Sequence, residues 1–273
     1  MNGLFRRQIA LPQDHGSWVF IGMPLLIGLF DGGIIAPASV ALVIAAMAAF
    51  LIRQPVTMAI KVESGRRPRT DLPAALFWLA VYGLIAALAA VALIALGAGS
   101  VLYLALPAAP IFAWHLLLVS RRAERRQLWI EVLGTGALAL AAPAAYWVGI
   151  GRYESGGLLL WGLVWAQSAA SIAYAYFRLE QREWKVVPDR RARFAAGRGP
   201  ILFAGANLLG AVVLGPLTGL QPGWVFVPFA LQLAETLWGT DHPAIGARPA
   251  AIGTRQLVVS TLFTLLFIVA IQR

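Results

Sequence analysis

The 273-residue chain contains no cysteine. That excludes disulfides, thiolate metal sites, cysteine nucleophiles and iron–sulfur clusters. Charge is scarce as well. Charged residues make up 12% of the chain, about half the share found in soluble globular domains. Acidic residues are the scarcest, 12 against 22 Lys and Arg. There is no Walker A sequence, no G-x-G-x-x-G and no G-x-S-x-G, so neither a phosphate-cradling loop nor a serine nucleophile elbow is indicated. What the chain has in excess is apolar residues, 60% of the total. Apolar runs of that density need an apolar solvent, which places the chain in a membrane.

A helix crosses the hydrocarbon layer with roughly 20 residues. The charge-poor stretches divide at Gly and Pro breaks into crossings near 17–30, 34–52, 73–96, 101–119, 128–149, 157–177, 200–215, 223–239 and 256–271. The expected fold is all-α, a polytopic transmembrane bundle of about nine spans. The longest polar stretch, about 178–199, leaves no room for a soluble unit, so 1–273 reads as a single transmembrane domain.

The positive charge tests the span count. Cytoplasmic loops are rich in Lys and Arg. With nine spans, 20 of the 22 basic residues fall on one side, and only Arg152 and Arg273 on the other. The N-terminus is then inside, the C-terminus outside, and the location the cytoplasmic (inner) membrane. The net charge of +10 reports topology and contact with anionic lipid headgroups. Nucleic acid is not an expected partner, because the basic loops have few aromatic platforms.

Ionisable groups at membrane depth are functional-site candidates by default, although residues near helix ends also snorkel or cap. Asp14 and His15 lie where the first span begins, and Arg53 where the second ends. His115 and Glu131 sit about one turn inside the fourth and fifth spans. Gln167, Ser171, Tyr174 and Arg178 fall at spacings of four, three and four, one stripe of a helix. Gln232, Glu235 and Thr236 lie near the end of the eighth span. All fall in the inner half, which predicts a polar pocket open to the cytoplasm beneath an apolar outer plug. His15 and Glu131 are the acid–base candidates. Asp14, Arg53, His115, Tyr174, Arg178 and Glu235 are the candidates for holding a substrate, with Glu131 or Glu235 pairing with Arg53 or Arg178. No His-x-x-x-His or Glu-x-x-His occurs on a span, so no metal set is assigned, and no particular cofactor is implied. Gly28 and Gly32 form a G-x-x-x-G pair, read as close packing within the chain.

The run Leu11-Pro12-Gln13-Asp14-His15-Gly16-Ser17-Trp18, followed by Pro24 and Gly28, resembles the opening motif of the YwiC-like family, with Asp14 where that family more often has Glu. The resemblance implies a multi-span membrane protein and supplies no mechanism. The nine-span pattern, with polar loops after spans two and six, is also similar to the UbiA prenyltransferases. In that family those loops carry Asp-rich motifs that hold magnesium and a prenyl diphosphate. Here they read Arg53-Gln54-Pro55-Val56-Thr57 and Arg178-Leu179-Glu180-Gln181-Arg182-Glu183, so motif-based prenyl transfer is not expected. Three functions stay open: a UbiA-like enzyme or binding protein for a lipid or isoprenoid-type molecule, a small-molecule or proton-coupled transporter, and an accessory factor for another membrane complex.

Overall fold

Lipid offers the backbone no hydrogen-bond partner, so an apolar run must satisfy its own N–H and C=O groups, and helix does that within one segment. A computed structural model describes residues 4–12, 15–122 and 128–272, with the backbone alone for His15. The described residues are mostly helical and contain no strand. In chain order the helices are α1 (Arg7–Ala10), α2 (His15–Gly32), α3 (Pro37–Glu63), α4 (Leu72–Ala95), α5 (Ala105–Ser120), α6 (Leu128–Ala139), α7 (Ala141–Ile150), α8 (Gly156–Gln181), α9 (Arg190–Ala196), α10 (Arg198–Val212), α11 (Phe226–Asp241) and α12 (Pro249–Ile271).

Seven helical stretches among the described residues have the length and composition to cross a membrane: Pro37–Glu63, Arg69–Ala95, Gly99–Ser120, Leu128–Ile150, Gly156–Gln181, Arg198–Leu217 and Pro249–Ile271. The other two expected spans are helices too, but shorter. The apolar part of α2 is Gly16–Gly32, and α11 has 16 residues. At 1.5 Å per residue α11 rises about 24 Å, short of the roughly 30 Å hydrocarbon layer.

Local chemistry sets the irregularities. Pro143 has no N–H for the Ala139 carbonyl, and its ring crowds that carbonyl; the fifth stretch breaks at Leu140 into α6 and α7. Pro216 does the same at the end of α10, where the helix widens into one π-type turn over Val213–Leu217. α3 runs on to Glu63, well past the expected end near 52, so Arg53 and Lys61 are helical. α12 begins at Pro249 instead of near 256, which makes Arg255 helical as well.

α8 is the central helix. More than half of its most apolar stretch is buried (56%), against 6% for Gly99–Ser120, which places α5 at the rim. α8 packs on α2, α6, α7, α10, α11 and α12. Leu160 and Val164 of α8 join Phe229, Phe263 and Phe267 in one buried cluster, with Phe229 and Phe263 edge to face at 5.0 Å. The outward faces of α4 and α12 are apolar: Leu84, Leu88, Val91, Leu262, Leu265 and Val269 are exposed. A lipid-facing surface has that character.

The G-x-x-x-G pair packs within the chain. Gly28 and Gly32 lie against Ala142, Ala145 and Gly149 of α7, and a Cβ on Gly149 would come within 2.7 Å of the Gly32 Cα. A Cβ on Gly28 would collide with the Ala142 carbonyl. Small residues let two helices approach backbone to backbone in lipid. The N-terminal segment is tied down at the opposite end. Buried Asp71 accepts from Arg6 at 2.6 Å and Arg67 at 3.3 Å, Trp78 Nε1 donates to the Leu4 carbonyl, and the Tyr82 hydroxyl donates to the Ala10 carbonyl.

Candidate functional site

Two polar stripes meet between α8 and α11. Gln167, Ser171, Tyr174 and Arg178 are all buried on one face of α8. Gln232 of α11 donates to the Gln167 carbonyl at 3.0 Å and to Ser171 Oγ at 3.2 Å, while Gln167 Nε2 donates to Ser171 Oγ at 3.0 Å. Gln232 Oε1 is buried and accepts no hydrogen bond from the described residues. One turn on, the Tyr174 hydroxyl reaches Glu235 Oε1 at 3.0 Å and the Glu235 carbonyl at 3.1 Å. Gly239 is obligatory beside it, because any Cβ there would overlap the Tyr174 hydroxyl.

Glu235 is held from the third side by Arg255 of α12. Arg255 donates through Nε to Oε1 at 2.6 Å and through Nη2 to Oε2 at 2.7 Å. This is the bidentate arrangement that gives guanidinium–carboxylate pairs their strength. The Arg255 guanidinium also lies 3.7 Å above the Trp238 ring, and that ring stacks on His242 at 4.7 Å. The pairing differs from the expected one with Arg53 or Arg178. The reason is the early start of α12, which makes Arg255 helical and sets it beside Glu235.

Arg178 lies one turn further along α8 and bonds to the end of α11. Its Nη1 donates to Gln181 Oε1 and the His242 carbonyl, each at 2.7 Å, and to the Gly239 carbonyl. Gln181 Nε2 also donates to Gly239, and Arg193 donates to the Asp241 carbonyl. The last carbonyls of a helix have no donor within it, and that end carries partial negative charge. Arg178, Gln181 and Arg193 together cap α11.

The remaining candidates lie elsewhere. Glu131 is exposed in the first turn of α6 and accepts from the Tyr176 hydroxyl at 2.6 Å. Tyr176 is two residues from Tyr174, about 200° around α8, so Glu131 and Glu235 lie on opposite sides of that helix. Arg53 is half-buried on α3, its guanidinium 5.4 Å from the Phe50 ring. Phe50 in turn packs edge-on against Trp18 at 5.3 Å, which sets Arg53 near the start of α2. His115 is half-buried on α5. Asp14 and the His15 side chain lie outside the described residues.

The structure thus brings Tyr174, Arg178 and Glu235 together, and leaves Arg53, His115 and Glu131 on three other helices. In the first group the side chains bond to one another and to neighbouring side chains and backbone. Two hollows occur elsewhere among the described residues. One is an open notch of about 440 Å³ at Arg190, Arg191 and Phe194. The other is an apolar groove of about 260 Å³ between α8 and α10, crossed by the Asn207 hydrogen bond to the Ala166 carbonyl at 2.8 Å. No group of three or more His, Asp or Glu is placed to hold a metal ion among the described residues.

Sequence reasoning missed three residues of consequence. Arg255 and Asp71 fall just outside the spans expected at 256–271 and 73–96, and Tyr176 lies within the one at 157–177 with no spacing that marks it. Pro249 carried a signal for Arg255, because proline in the first turn marks where a helix begins.

Residues 11–146 match the YwiC-like protein family. Over this segment, just under half of its length, the chain is similar to the YwiC-like family. No curated protein and no solved structure matches the chain, so the likeness to UbiA prenyltransferases rests on sequence pattern alone. With a YwiC-like segment and seven helices of spanning length and composition among its described residues, the chain is a multi-pass membrane protein. The YwiC-like segment runs from just before α2 into α7. It contains Asp14, His15, Arg53, His115 and Glu131, whereas Tyr174, Arg178 and Glu235 lie beyond it.

Proposed function

We propose that this YwiC-like protein crosses the cytoplasmic membrane nine times as a single transmembrane domain, N-terminus inside and C-terminus outside. We further propose that it handles a lipid-type or isoprenoid-like molecule at its inner face, as an enzyme or a binding protein. Counting α2 and α11 as crossings puts 20 of the 22 basic residues on one side, which supports the topology.

The observation that carries the functional reading is the Glu131–Tyr176 pair. The C-terminal polar cluster uses its groups on itself: Glu235 on Arg255, Arg178 on the end of α11. Glu131 is exposed, one carboxylate oxygen fixed by a phenol and the other accepting no hydrogen bond from the described residues. A carboxylate oriented in this way, at the start of a spanning stretch, fits a general base or an anchor for a hydroxyl-bearing ligand. His15 is its proposed acid–base partner, and Asp14, Arg53 and His115 are the proposed orienting groups. Tyr174, Arg178 and Glu235 then position α8, α11 and α12 behind them.

The test is mass spectrometry of small molecules retained by protein taken from native membranes in lipid particles. Wild type should retain a defined lipid-soluble molecule above the bulk phospholipid, and Glu131→Gln and Tyr176→Phe should lose it. Identical retained molecules in all three proteins would refute the reading.

A further inference from the structure

The segment joining α8 to α10 has charge and exposed apolar residues that the proposed site does not use. It carries Arg182, Lys185, Arg190, Arg191, Arg193 and Arg198 against Glu183 and Asp189. Asp241 lies near Arg190 and Arg193, at 3.3 and 3.6 Å, and offsets part of that charge. Arg190 keeps 76% of its side chain exposed. Arg191 and Lys185 are exposed too. Between Lys185 and Arg190 stand two outward valines, Val186 at 77% and Val187 at 58% exposure.

We propose that this segment is a docking surface for the anionic phospholipid of the adjacent leaflet. In it, the notch at Arg190, Arg191 and Phe194 receives a headgroup phosphate, and Val186 and Val187 enter the boundary between headgroups and acyl chains. Three observations support it. Both flanking helices, α8 and α10, belong to stretches of spanning length, so the segment is tethered at the membrane surface. The charge is complementary to phosphate, and guanidinium matches its geometry bidentately. Adjacent cations and exposed apolar side chains are the pattern of segments lying in the interface. Arg190 lies 5.6 Å from the Phe194 ring, which pre-orients it over the notch. The proposal is independent of the Glu131 reading, since it concerns another element and another ligand.

The experiment uses the full chain in nanodiscs of phosphatidylcholine, or of an equimolar mixture with phosphatidylglycerol. It measures thermal stability and, by native mass spectrometry, the number of phosphatidylglycerol molecules retained. Phosphatidylglycerol should raise the wild-type melting temperature. At about fivefold in affinity per cation near the surface, Arg190→Gln with Arg191→Gln should weaken retention about twenty-five-fold. Val186→Ser with Val187→Ser should weaken it as well, while Arg121→Gln with Arg122→Gln, on a different loop, should not. Equal loss in the Arg121/Arg122 variant, full retention in the Arg190/Arg191 variant, or the same stabilisation from inorganic phosphate alone would each overturn the proposal.

Discussion

At the scale of single residues, the C-terminal half depends on one carboxylate. Glu235 keeps 9% of its side chain exposed and Arg255 keeps 41%. Removing the acceptor strands a guanidinium that still reaches the surface, so the cost falls below that of a fully buried pair. Glu235→Gln should destabilise the protein by about 2 kcal/mol, lowering the melting temperature by about 5 °C, as read by thermal unfolding in detergent. Arg255→Lys should lose part of the same stability, because an ammonium cannot bond both carboxylate oxygens while stacking flat on Trp238. An unchanged melting temperature in both variants would show that the pair contributes nothing. The α8 stripe was legible in the sequence because its spacing alone places Gln167, Ser171, Tyr174 and Arg178 on one face. The partner of Glu235 was not, because pairing across helices depends on where α12 begins, and the apolar run alone leaves that start uncertain by several residues.

At the scale of elements, the contact between α2 and α7 shows how closely these helices pack. Gly28 has no room for a side chain opposite Ala142 and Ala145, and at Gly32 a Cβ would sit 3.0 Å from Gly149. Gly28→Ala should cost about 1–3 kcal/mol, as overpacking in a filled interior does. Gly22→Ala on the same helix, where a Cβ meets nothing within 4 Å, should be neutral, and equal effects at both positions would contradict this packing. The sequence carried the G-x-x-x-G signal and the reading that it packs within the chain. It also carried the residues behind the α6–α7 break, Pro143 with the Ala139 carbonyl four residues before it. The length of α3 was less legible: Arg53, Gln54 and Lys61 look like a loop by charge, yet they extend the helix. Charged side chains end an apolar run without ending the helix that carries it.

At the scale of the whole molecule, the helical, apolar and one-sidedly basic character of the chain follows from composition. Nine crossings require α11, at 16 residues, to span. A helix that short thins the bilayer locally or relies on its polar ends. Reporter fusions after residues 33, 98, 152 and 220, and at the C-terminus, should all read outside, and fusions near 65, 122 and 190 inside. A C-terminus that reads inside would break the nine-crossing count. The division of labour between the two acidic sites is the deeper claim. The Glu235 cluster joins α8, α11 and α12 and holds the bundle together. The Glu131–Tyr176 pair joins the YwiC-like segment to α8 and is where we propose that the ligand is handled. Melting temperature and retained lipid-soluble molecule, measured side by side for Glu131→Gln and Glu235→Gln, test that claim most directly. Glu131→Gln should melt like wild type and lose the molecule, whereas Glu235→Gln should melt early and, below its transition, still retain it. The reverse pattern, with retention lost at Glu235 and stability lost at Glu131, would contradict the account.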